Sequence, residues 1–79
     1  MYIATFYSHF GAMRFKQHCE AKGISCILKP VPRDLSSSCG TCSQFTSWVP
    51  LEELQLDEIE QIVKLLGSGY EQLYVNQEE

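Results

Sequence analysis

Between Tyr2 and Tyr7, apolar and β-branched side chains fill both alternating sets, Ile3, Thr5 and Tyr7 against Tyr2, Ala4 and Phe6. That pattern predicts a strand buried on both faces. From Ser8 the period lengthens: Ala12, Phe15 and Cys19 recur at helical spacing while Arg14, Lys16, Gln17 and Glu20 face outward. Ser8 is placed to cap this helix and Gly23 to end it. Ile24–Lys29 then reads as a second strand, which Pro30 and Pro32 stop. Gln44–Val49 alternates Phe45, Ser47 and Val49 with Gln44, Thr46 and Trp48, predicting a third strand that Pro50 ends. Asp57 with Glu60 matches a capping pattern, and Ile59, Ile62, Val63 and Leu66 form one helical stripe, closed by Gly67 or Gly69. Tyr70–Asn76 supplies a last strand with Leu73 and Val75 facing inward.

The predicted order is β-α-β-β-α-β. It implies an α+β fold of the ferredoxin-like type, a four-stranded antiparallel sheet with two helices on one face. At 79 residues the chain is expected to be a single domain over residues 1–76, with a short acidic tail at 77–79. The connection from Pro30 to Ser43 stands out, because compact domains rarely keep structureless loops beyond about 12–15 residues unless they bind or react.

Charge narrows the partners. Residues 1–40 carry five basic and two acidic side chains (+3), and residues 41–79 carry one and eight (−7), which sum to the net −4. An acidic chain without a basic cluster lacks the footprint for phosphate backbones, so nucleic acid is not expected as a partner. Neither a membrane-spanning run nor a secretory pattern is apparent, so a cytoplasmic protein with no membrane partner is expected. In that setting Cys19, Cys26, Cys39 and Cys42 point to free thiols, metal or redox chemistry before structural disulfides.

The stretch "VPRDLSSSCGTCSQF", Val31–Phe45, holds the candidate chemistry. A thiolate needs nearby donors or positive charge. Ser36, Ser37 and Ser38 offer hydroxyls and backbone N–H groups around Cys39, and Gly40 can take the positive φ that makes successive amides converge on an anion. Arg33 is the one cation in the loop, with Asp34 beside it to compete for its charge. The plain alternative is a connector whose serines satisfy turns and whose cysteines are small neutral residues. Cys39-Gly40-Thr41-Cys42 is a C-x-x-C, which supports dithiol exchange or half of a zinc site. In thioredoxin-like proteins that pair opens a helix, whereas a strand is predicted to follow here. Zinc would need further ligands from Cys19, Cys26, His9 and His18, and the paired spacing is missing, so no metal is expected. No cofactor is expected either.

The segments "ATFYSHFGAMRFKQHCEAKGI" and "PVPRDLSSSCG" resemble the selenium/sulfur carrier protein-like family. In that family a strand and helix lead to a P-R-x-[LI]-S-x-x-C-G segment, here Pro32, Arg33, Leu35, Ser36, Cys39 and Gly40. The resemblance implies a carrier whose Cys39 accepts sulfur or selenium as a persulfide or selenosulfide, with Arg33, Ser36 and Gly40 shaping its pocket. It also implies donor and acceptor proteins as partners. Cys42 has no firm place in that pattern and is read as either a resolving thiol or incidental.

Three functions follow for testing. The first is a sulfur or selenium carrier using Cys39, more a transfer protein than a turnover enzyme. The second is a small thiol–disulfide oxidoreductase using Cys39 and Cys42. The third is a non-catalytic ligand-binding or regulatory domain, as ferredoxin-like folds often host. A homodimer through a sheet edge or Trp48 is compatible with all three.

Overall fold

The computed structural model describes residues 1–35 and 37–77; Ser36 and residues 78–79 of the expected tail lie outside the described residues. In chain order the elements are β1 (Tyr2–Phe6), α1 (His9–Ala21), β2 (Cys26–Pro30), β3 (Thr41–Phe45), 3-10 turns at Leu51–Glu53 and Leu56–Glu58, β4 (Ile59–Leu66) and β5 (Gly69–Val75). They build an α+β fold around one antiparallel sheet of order β2-β3-β1-β4-β5. Because β1 and β2 each pair antiparallel with β3, they run in the same direction with β3 between them, and α1 makes the crossover.

The first half follows from local chemistry. Ser8 Oγ accepts the Gly11 N–H at 3.2 Å, supplying one of the donors that a helix start leaves open. At the other end the Lys22 and Gly23 N–H groups return to the carbonyls of Cys19 and Glu20, and Gly23 takes φ +75°. That left-handed position favours glycine. Ala12, Phe15 and Cys19 are buried, as their spacing predicts.

The second half departs from the ferredoxin-like expectation. Ile59–Leu66 is a strand where a second helix was expected, so the described residues hold one α-helix and five strands. The cause is a β-bulge: Phe6 pairs with Ile59 but Thr5 pairs with Gln61, which leaves Glu60 as an extra residue opposite the Thr5–Phe6 step. The inserted residue puts Ile59 and Ile62 on one sheet face at a three-residue spacing, which imitates a helix. The two 3-10 turns occupy the layer beside α1, with Leu51, Leu54 and Leu56 packed on the core. The Lys22–Glu53 ion pair (2.7 Å) and the approach of His18 Nε2 to Glu53 (3.3 Å) hold the first of them to the helix.

The third strand is also shifted. It spans Thr41–Phe45 and not Gln44–Val49, because Cys42 and Ser43 lie between β1 and β2 and are fully buried. Sheet pairing on both sides overrides their modest strand preference. The connection therefore shortens to Val31–Gly40. The sheet buries two cores. Ala4, Phe6, Phe15, Phe45, Ile59 and Ile62 meet on the α1 side, and Ile3, Cys42 and Val63 on the other.

Candidate functional site

The loop Val31–Gly40 is anchored at both ends and along its length. Its base is closed by the Val31 N–H to the Gly40 carbonyl (3.1 Å), and the Leu35 N–H turns back to the Pro32 carbonyl (3.1 Å). Val31 and Leu35 pack over Ile3, Cys42 and Val63 on the face away from α1. The Tyr70 hydroxyl donates to Asp34 Oδ1 at 2.9 Å, fixing this arm to β5.

The loop then returns toward the α1 side. Ser37 Oγ donates to the Phe6 carbonyl at 3.2 Å, at the end of β1. Ser38 gives both its donors to Glu60, the backbone N–H to Oε1 at 3.0 Å and the hydroxyl to Oε2 at 2.6 Å. Cys39 follows, half-buried against the α1-side core. Its thiol donates to the Thr41 carbonyl at 3.4 Å, and Ser37 Oγ lies 4.0 Å from the sulfur. Thr41 Oγ1 in turn lies 3.4 Å from His9 Nδ1, so the first residue of α1 is tied to the same strand end. Gly40 has φ +74°, the left-handed turn that delivers the chain from Cys39 into β3.

The other three thiols are different. Cys42 is fully buried, with its sulfur 3.8 Å from the Pro30 carbonyl, and burial pushes its pKa up. Burial likewise raises Cys26, and it pushes Cys19 up to about 12. Buried, protonated thiols are poor nucleophiles. Of the four cysteines only Cys39 is not buried.

The residues expected around the thiol are partly assembled. Ser37 and Gly40 adjoin Cys39, and Ser38 neighbours it in sequence with its donors turned to Glu60. Ser36 lies outside the described residues. Arg33 is exposed and makes no ion pair among the described residues, while Asp34 is engaged by Tyr70. Cys42 faces the other side of the sheet. The expectations did not include Glu60, which matched a capping pattern with Asp57, nor Tyr70, which had no signal beyond its strand. Among the described residues no three His, Cys, Asp or Glu side chains gather as a metal site. A groove of about 360 Å³ between α1 and the 3-10 turns is lined by Gly11, Arg14, His18, Glu53 and Glu58, away from Cys39.

Fold and loop together define a small α+β protein that presents one reachable thiol on a tethered loop at the end of a sheet. The family model described as Putative Se/S carrier protein-like matches residues 1–75, and the chain belongs to that family. No curated protein and no solved structure matches it. No helix among the described residues is long and apolar enough to cross a membrane.

Proposed function

We propose that the protein carries sulfur or selenium on Cys39. The observation that supports this most is the contrast among its thiols: three are buried, and Cys39 alone is offered to a partner from an anchored loop. Family membership points the same way.

In the proposed cycle the Cys39 thiolate attacks the outer sulfur of a donor persulfide, R–S–SH. The donor S–S bond breaks, Cys39–S–SH forms, and the donor leaves as the thiolate R–S⁻. Transfer to an acceptor thiolate repeats the exchange with Cys39 as the leaving group. A selenosulfide follows the same electron count with selenium as the outer atom. Ionising Cys39 gives up its bond to the Thr41 carbonyl, and the Ser37 hydroxyl is the side-chain donor within reach of the sulfur. We assign Ser36, Ser37, Ser38 and Gly40 to the anion's surroundings and Arg33 to contact with incoming partners, where its exposed charge fits an acidic donor or acceptor surface. Free thiols fit a reducing compartment.

A dithiol cycle is the poorer reading, because Cys42 would have to leave the core to meet Cys39. Cys42→Ser separates the two. A carrier keeps single-turnover loading from a cysteine desulfurase and cysteine at the wild-type stoichiometry, whereas a dithiol enzyme loses its cycle.

A further inference from the structure

Glu60 has no role in the cycle above, yet among the described residues it makes the shortest side-chain hydrogen bond to the loop that bears the thiol. It is the residue inserted by the β4 bulge, and bulges commonly re-aim a side chain at a functional site. Its carboxylate points to the residue beside Cys39 and takes the Ser38 N–H at 3.0 and 3.3 Å and the Ser38 hydroxyl at 2.6 Å. A backbone N–H and a hydroxyl converging on a carboxylate form the kind of donor set that holds small anions, and charged acceptors strengthen both bonds. In the unloaded protein the anion there is the protein's own.

We propose that Glu60 is a positioning residue that occupies the Ser38 donors until Cys39 is loaded, and that the outer sulfur anion of the Cys39 persulfide then displaces it. The inference rests on the carrier reading. No covalent bond changes in the displacement. Ser38 exchanges one anionic acceptor for another, and the Glu60 carboxylate, which is only partly buried, turns to water. Two consequences follow. Glu60 lowers the local potential around the empty thiol, which disfavours anionic reagents. It also competes with the bound persulfide for Ser38, which shortens that persulfide's life and favours release.

The test compares wild type with Glu60→Gln, which keeps an oxygen acceptor for Ser38 but removes the charge. The first readout is the ratio of Cys39 alkylation rates by iodoacetate and iodoacetamide, in which the thiolate fraction cancels and the potential remains. At low salt the ratio is expected to rise roughly three- to tenfold in the variant, as removal of one nearby charge in a partly aqueous setting implies. In wild type it should climb toward the variant's value as salt screens the carboxylate, which needs no mutant fold to interpret. The second readout is the Ser38 amide proton resonance in wild type, which should move on persulfide loading. The persulfide should also last several-fold longer in Glu60→Gln. An alkylation ratio indifferent to both substitution and salt overturns the proposal, and so does a Ser38 resonance that stays put when Cys39 is loaded. Failure of wild type to load at all defeats the carrier reading instead, and the alkylation ratio still reports on Glu60.

Discussion

Cys39 and Cys42 stand three positions apart in the chain yet pack into different cores, Cys39 against the α1 side of the sheet and Cys42 with Ile3 and Val63 on the other. The turn through Gly40 and the first residue of β3 separate them. This arrangement gives one C-x-x-C motif two unlike thiols, one reachable and one structural.

Native labelling should therefore be selective. With a neutral alkylating reagent at neutral pH, Cys39 is expected to react first, with Cys19, Cys26 and Cys42 slower by roughly a hundredfold or more because they wait for local opening. The same burial sets a pH dependence. Thiols raised above their ordinary 9.0 contribute stability that is whole below that value and is lost as pH climbs through the raised ones, Cys19 last near 12. Thermal melts across alkaline pH should fall in that direction.

Cys42→Ser should lower stability by about 1–3 kcal/mol, because a hydroxyl replaces a thiol in a dry core. Cys42→Ala removes the polar atom and should cost no more than the serine. Denaturant midpoints measure both, and loading at Cys39 should match wild type in each.

Gly40→Ala should cost about 1–2 kcal/mol through its left-handed backbone alone, since a Cβ there meets nothing within 4 Å. Gly23→Ala, with φ +75° and the same open space, is the matched control for stability. The two should shift the melting temperature alike, but only Gly40→Ala should alter the alkylation rate of Cys39.

The Tyr70–Asp34 bond should be visible by titration. Its hydrogen bond to the Asp34 carboxylate holds the Tyr70 phenol above the usual tyrosine range. The contribution of this pair is present below the ordinary tyrosine value and fades as pH rises through the raised one. Asp34→Asn should bring Tyr70 back down in an ultraviolet difference titration and loosen the Leu35 arm of the loop, seen as faster amide exchange there.

The first half of the fold was legible because its signals are local. Ser8 and Gly23 mark the ends of α1, and Phe15 and Cys19 mark its buried face. The misreading of Ile59–Leu66 has a physical source, since the extra residue at Glu60 converts a two-residue period into a three-residue one and Asp57-x-x-Glu60 imitates a cap. Thr41-Cys42-Ser43 looked like loop for a related reason: their burial comes from neighbours on both sides, which no local window contains. That Cys39 is the one cysteine not buried was legible from its polar setting. The Ser38–Glu60 contact was not, because it joins residues brought together only by the bulge.

The central claim is that Cys39 holds the chalcogen. Intact-protein mass spectrometry with peptide mapping, after reduced protein meets a cysteine desulfurase with cysteine and, separately, with selenocysteine, so that the chalcogen arrives as the outer atom of the donor's persulfide or selenosulfide, tests it most directly. The account predicts one added sulfur or selenium on the peptide bearing Cys39, released by dithiothreitol and absent from Cys39→Ser. A loss of two hydrogens through a Cys39–Cys42 bond with no chalcogen retained would contradict it, as would an unchanged mass.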